Sequence, residues 1–160
     1  MAIQLPLREA GAGAEDYYGL FDEGRDRIQV AIAYLRDHGA KDIALVGVGV
    51  GAAMAAYKLS LDPQAVFGLV AISLPLPDST LPQARTGDFI RNIALPFMDL
   101  YAEFDWPDVT GTAGQRQLLA RDNPAYRQIK IQDETHAYQL DPNLVVKRVY
   151  SWLALQAGQN

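Results

Sequence analysis

The stretch whose residue types and spacing could do chemistry is Gly47-Val48-Gly49-Val50-Gly51-Ala52, which lies between the apolar run Ile43-Ala44-Leu45-Val46 and an Ala-rich run. A strand, a tight glycine turn and a helix form the geometry that lifts one residue above the end of a sheet. With Ser in the middle it would be a G-x-S-x-G nucleophile elbow, whose small flanking residues let strand and helix approach closely. Here the middle residue is Gly49. The turn of a catalytic site is present, and the side chain that would attack a carbonyl is absent. The same glycines fit a second chemistry, because Gly47, Gly49 and Ala52 match the G-x-G-x-x-A form of the dinucleotide fingerprint. That fingerprint needs an acid at the end of the next strand for a ribose hydroxyl, or an Arg nearby for a 2′-phosphate. Ala71-Ile72-Ser73-Leu74-Pro75 supplies neither. No Gly-Lys-Ser/Thr follows the glycines, which excludes a P-loop.

Other chemistries are bounded by composition. There are no cysteines, so disulfides, Cys-ligated zinc and thiol catalysis are excluded and the compartment stays open. Of the two histidines, His38 falls at the end of a predicted helix, where its charge would favour the dipole. His136 is the only one in a plausible site, and the acids are scattered, so neither a metal nor another cofactor is expected. The net charge of −5 argues against nucleic acid or an anionic membrane as partner. The uncharged run Ile43 to Tyr57 is too short to span a bilayer. The N-terminus has no basic region followed by an apolar stretch, so nothing marks a signal peptide.

The chain that must position the glycine turn is 160 residues long and 49% hydrophobic, which suits one domain, 1–160, with a sizeable core. Met1 to Leu7 reads as a short first strand, and a chain that opens inside a strand implies residues upstream. Leu20, Ile28, Ile32 and Leu35 are spaced for an amphipathic helix from Asp16 or Tyr17 to His38, closed by Gly39. Ile43 to Val46 lacks alternation and reads as a strand buried on both faces. Val66 to Ser73 is a second buried strand. Leu74 to Arg85, with Pro75, Pro77 and Pro82, is loop. A short helix over Asp88 to Ile93 and a strand over Leu95 to Ala102 follow, then a helix from Thr112 to Arg121 or Asp122. Tyr126 to Ile131 alternates like a strand nearer an edge. Asp133 to His136 is a loop, Asn143 to Gln156 a terminal helix, and Ala157 to Asn160 a frayed tail. Strands alternating with helices predict an α/β fold with a mostly parallel sheet of about five strands.

The order of these parts resembles a known family. A glycine elbow, an acid after a later strand (Tyr101-Ala-Glu-Phe-Asp105) and a His after the last strand (Glu134-Thr-His136) follow the Ser, Asp, His order of the α/β-hydrolase fold. The chain looks like a truncated α/β-hydrolase, from about that fold's fourth strand to its last helix. More narrowly, it resembles a bacterial α/β-hydrolase-like family of unknown function. There the elbow often carries Gly in the nucleophile place, and a strand like Tyr126-Arg127-Gln128 precedes the His loop. The resemblance implies that Gly49 holds the nucleophile position, that Asp105 is the acid that orients an imidazole, and that His136 is the base. The Val50 amide would give half of an oxyanion hole, and the upstream loop that gives the other half is not in this sequence. Glu103 and Glu134 are nearby acids that could replace Asp105, and the sequence does not choose among them.

The resulting expectation is a catalytically degenerate α/β-hydrolase-like domain with a structural or small-ligand-binding role. Asp105 and His136 persist as a relic pair, and Val48, Gly49 and Val50 line the old pocket. Two alternatives stand beside it: a weak ester or amide hydrolase using His136 and Asp105, or a Ser outside the elbow, and a dinucleotide-binding domain using Gly47, Gly49 and Ala52. Relative to the full fold, the sheet near Ile43 to Val46 would lose a neighbouring strand and the cover of one face. Such edges and patches tend to be satisfied by another chain, so a homo-oligomer, most simply a two-fold dimer, is expected.

Overall fold

Four strands form one all-parallel sheet in the order β1-β2-β3-β4, each bonded to the next in sequence. The computed structural model describes residues 1–158. A 3₁₀ turn, Ala14–Leu20, runs directly into α1, Phe21–Asp37. Then come β1, Ala44–Val48; α2, Val50–Leu61; and β2, Gly68–Ile72. After a short 3₁₀ turn at Pro82–Ala84 come α3, Thr86–Ile90; β3, Phe97–Phe104; α4, Pro107–Thr110; and α5, Ala113–Leu119. The chain ends with β4, Tyr126–Thr135, and α6, Pro142–Ala157.

The two faces of the sheet carry separate cores, as alternation along a strand requires. Leu69, Ala71 and Phe97 face α1 and α2, where Phe21, Ile28, Ile32 and the alanines of α2 are buried. Val70, Ile72, Met98 and Leu100 face the other way and pack with Val145 and Trp152 of α6. Strand β2 is buried along its whole length, as expected of a central parallel strand. Strand and helix close tightly at Gly47, where a Cβ would fall 2.6 Å from the Ala52 backbone.

Three differences from the sequence reading have physical causes. Met1 to Leu7 is not a strand, so the sheet has four strands rather than about five. Pro6 has no N–H for a ladder, the Gln4 carbonyl accepts from Arg27 Nη1 at 2.9 Å, and Leu5 packs onto the helical core. Strand β1 is not buried on both faces: Val46 and Val48 are 52% and 55% exposed, because on the face they share with Val70 and Ile72 the core around Val145 and Trp152 of α6 does not reach β1. Strand β4 is longer than expected and runs through Asp133 and Glu134, which had read as loop, after a register shift between Ala102 and Phe104 on β3. Of the tail that had read as frayed, Ala157 closes α6, and residues 159–160 lie outside the described residues. The C-cap of α1 is His38 rather than Gly39, which follows it with φ 85°; His38 stacks on Tyr34 and donates from Nδ1 to the Tyr34 carbonyl at 2.8 Å.

A polar cluster around Asp99 is buried inside this frame. Arg116 of α5 and Asp99 of β3 are both fully buried and paired at 2.8 Å. Tyr126 and Gln128 of β4 donate to the same Asp99 oxygen at 2.8 and 2.9 Å. Burial, together with the Asp99 charge, raises the Tyr126 phenol well above its ordinary value.

Candidate functional site

A parallel sheet brings the C-terminal ends of its strands to one edge, and consecutive order in this sheet puts the residues after β1, β2, β3 and β4 side by side. Gly49, Ser73, Asp105 and His136 hold those four places. Gly49 is the N-cap of α2 with φ 55° and ψ −127°, and an added Cβ there would meet nothing within 4 Å. Its N–H donates to the Ile72 carbonyl at 2.8 Å, one residue before Ser73. The turn therefore has the backbone conformation of an elbow, which glycine adopts without strain, and open space where a nucleophile would stand. The flanking residues expected to line the pocket, Val48 and Val50, lie on either side of this turn, Val48 exposed and Val50 half-buried. The Val50 amide opens α2 and so has no partner within the helix.

Asp105 and His136 meet. Asp105 Oδ1 lies 2.7 Å from His136 Nδ1, with the Asp side chain fully buried and the His ring 40% exposed. Since Nδ1 is engaged by the carboxylate, Nε2 is the ring atom free to serve a ligand or a proton transfer. The Trp106 indole and the imidazole pack in a T-shaped arrangement at 5.0 Å between centroids.

The second Asp105 oxygen holds a cluster that the sequence did not announce. Ser73 Oγ donates to Oδ2 at 2.5 Å, Tyr138 Oη donates to it at 3.2 Å, and the Ala102 amide at 3.2 Å. The two hydroxyls lie 2.8 Å apart, and the Trp106 amide donates to Oδ1 at 2.9 Å. Burial alone would raise the Asp105 carboxyl, but the bonds from Ser73, His136, Trp106 and Ala102 outweigh it and hold the group below the ordinary carboxylate range. Burial is also the main reason the Tyr138 phenol sits well above its ordinary value, and the Asp105 charge adds to it. Ser73 and Tyr138 both have positive φ, 53° and 50°.

The three candidate acids have different partners. Glu103 pairs with Lys130 at 2.9 Å and accepts from the Asp133 amide. Glu134 is buried and accepts from the amides of Thr135, Leu140 and Asp141 at 2.9, 3.1 and 3.0 Å. These bonds, the one from Asp141 foremost, lower its carboxyl, and they close the loop that carries His136 and Tyr138. Neither glutamate bonds to His136, whereas Asp105 does.

Gly47, Gly49 and Ala52 are explained without a nucleotide. Gly47 allows the strand–helix contact, Gly49 takes the positive φ, and Ala52 is the close neighbour. The strand order runs in one direction without the reversal that opens a dinucleotide crevice. Among the described residues, no group of three or more His, Cys, Asp or Glu could hold a metal ion. No described helix is long and apolar enough to cross a membrane.

A family profile described as Protein of unknown function (DUF3530) matches residues 20–155. No curated protein matches the sequence. Among solved structures, a predicted CIB-like hydrolase from Thermoplasma acidophilum aligns with a TM-score of 0.66 and 15% identity, covering 93% of this chain and 65% of that one. Est1E from Butyrivibrio proteoclasticus aligns with a TM-score of 0.72 and 13% identity, over 86% of this chain and 71% of that one. The peroxisomal alpha-beta-hydrolase Lpx1 from Saccharomyces cerevisiae gives 0.68 and 12%, over 88% and 62%. The chain thus spans between three-fifths and three-quarters of these neighbours' lengths. The fold is that of the α/β-hydrolases.

Proposed function

The chain belongs to the family described as Protein of unknown function (DUF3530), and we propose that within it this α/β-hydrolase-like domain has given up nucleophilic catalysis and uses the strand ends at Gly49 and His136 to hold a small ligand. The observation that carries the reading is the elbow itself. Gly49 keeps the positive φ of a nucleophile turn, has free space at its Cβ and bears no attacking atom. A ligand there would find the free ring nitrogen of His136 on one side. On the other it would find the unpaired amide at the start of α2, a combination suited to a small polar or anionic group.

The second reading, a weak ester or amide hydrolase, is favoured by one observation, the 2.7 Å bond between Asp105 and His136. In that reading His136 activates water. Ser73 is a poor substitute nucleophile, because it is buried and its proton is committed to Asp105 rather than to the imidazole.

The test is hydrolysis of p-nitrophenyl acetate by the parent chain, Gly49→Ser and His136→Ala. The binding reading expects a parent indistinguishable from buffer and a Gly49→Ser protein that gains a burst of acylation. Parent turnover that disappears in His136→Ala would overturn it in favour of the hydrolase.

A further inference from the structure

His136 and Tyr138 stand two residues apart and reach opposite oxygens of one carboxylate, that of Asp105. A turn makes this possible. The Tyr138 amide donates to the Thr135 carbonyl at 3.0 Å and closes a four-residue turn with His136 and Ala137 at its centre. Tyr138 leaves the turn with φ 50°. Its ring packs against the core around Val145 and Trp152. Its hydroxyl comes within 3.2 Å of Asp105 Oδ2 and 2.8 Å of Ser73 Oγ. The base of the same loop is tied separately, by the Glu134 carboxylate on the amides of Leu140 and Asp141.

Counting protons gives this chain of bonds a direction. A serine or tyrosine hydroxyl has one proton to give. Ser73 gives its own to Asp105 Oδ2 at 2.5 Å. Between the two hydroxyls Tyr138 is therefore the donor, to Ser73, to Oδ2 or shared between them. The amides of Ala102 and Trp106 also donate to the carboxylate. Among the described residues, every hydrogen-bond partner of Asp105 other than the imidazole is thus a donor. Asp105 acts as an acceptor only, and the proton of its bond to His136 Nδ1 lies on the ring.

We propose that Tyr138 is the positioning residue of His136: through Ser73 and Asp105 it clamps the loop that carries the imidazole, so that Nδ1 keeps the proton and Nε2 is presented as an acceptor. A tyrosine hydroxyl that only needed satisfying would require one partner. This one sits between two, on the carboxylate oxygen opposite the one His136 uses, and it belongs to the histidine's own turn. The group that a neutral His136 takes from a ligand is then a hydrogen-bond donor, a hydroxyl or an N–H. That last step rests on the reading that His136 serves a ligand.

The experiment is nitrogen–proton NMR correlation of the imidazole rings in protein carrying isotope-labelled histidine, at about pH 8, where a histidine is ordinarily neutral. The chain has two histidines, and His38, whose Nδ1 is held by the Tyr34 carbonyl, is the internal reference. In the parent, His136 is expected with its proton on Nδ1. Tyr138→Phe keeps the ring and removes the hydroxyl. Its Nδ1 proton should exchange with water on the order of tenfold faster, the factor that one hydrogen bond to a charged group is worth at the low end. Tyr126→Phe removes a buried hydroxyl from Asp99 instead and should leave that rate at the parent's. If Tyr138→Phe loses the parent's far-UV spectrum, Ser73→Ala carries the same expectation. A parent with the proton on Nε2 would overturn the proposal. So would a folded Tyr138→Phe that exchanges at the parent's rate, or a Tyr126→Phe that speeds exchange as much. Neither ligand nor turnover enters these readings, so their failure is distinct from a failure of the binding reading, which ester hydrolysis tests.

Discussion

Ser73 offers the most discriminating perturbation of the site, because two replacements separate two energies that act there in opposite directions. Its hydroxyl donates to an ionised, buried carboxylate at 2.5 Å, and its backbone is held at φ 53°. A hydrogen bond to a charged group contributes about 1.5–3 kcal/mol net. Asp105 Oδ2 keeps donors from Tyr138 and Ala102 when the serine hydroxyl goes, so the loss in Ser73→Ala belongs at the lower end, about 1.5 kcal/mol. Ala retains the left-handed backbone. Ser73→Gly loses the same bond but releases about 1–2 kcal/mol of left-handed strain, against about 0.5–1 kcal/mol for the extra freedom of the unfolded chain. Glycine should therefore be less destabilising than alanine by about 0.5–1 kcal/mol. Urea unfolding followed by the fluorescence of buried Trp152 reads this as the order of midpoints, parent above Gly above Ala, with unchanged slopes. An alanine variant as stable as the parent would refute the hydrogen bond as a source of stability. A glycine variant at or below alanine would refute the strain.

Two further outcomes follow from the buried polar groups. Arg116→Met leaves Asp99 charged and sealed with only Tyr126 and Gln128 as donors, and breaking a buried pair costs about 3–5 kcal/mol. Thermal unfolding should fall by roughly 6–20 °C, and the double change Asp99→Leu with Arg116→Met should regain most of it; a double variant no better than the single would contradict the argument. The Asp105 carboxyl is lowered in the folded state, so its contribution is complete above the unfolded value of about 3.9 and is lost as pH falls through the lower folded value. The urea midpoint of Asp105→Asn should thus approach that of the parent as acid is added, and a gap that stays constant below about pH 4 would contradict the linkage.

The parts of this fold that the sequence revealed are those written in local pattern. The Gly47–Gly51 turn, the uninterrupted apolar run of β2 and the Pro-rich connection after Ser73 each occupy one short window. Asp105 and His136 were legible as candidates, since each follows a strand-like run, yet their meeting depends on β3 and β4 being neighbours. Glu103 and Glu134 were equally good candidates because spacing does not say where a carboxylate points. Their partners, Lys130 and the amides of Thr135, Leu140 and Asp141, decide the matter in three dimensions. Ser73 and Tyr138 were not read as site residues. They are separated by 65 positions, and positive φ at a serine or a tyrosine leaves no mark on composition. Strand order alone could have flagged Ser73, which ends the strand next to the one that delivers Asp105. The interrupted edge at β1 was anticipated as a loss of cover. Met1–Leu7 was still misread as a strand, because apolar content outweighed the missing donor at Pro6.

The distribution of strain bears on whether the pocket is idle. All three non-glycine residues with positive φ in the described chain, Ser73, Asp133 and Tyr138, lie in the segments that carry Asp105's second-oxygen cluster and the His136 loop. Each such conformation costs of order 1–3 kcal/mol and persists only where its surroundings over-determine it. A pair that merely filled space could be replaced by apolar side chains with relaxed backbones at no loss, since a buried polar network is a weak source of net stability. Strain concentrated around a buried carboxylate and a half-exposed imidazole is instead the arrangement expected when one ring nitrogen has to be presented in a fixed direction. That argument favours a ligand at His136 over a purely structural role. It also locates the specificity on the side of the ring that Asp105 does not touch.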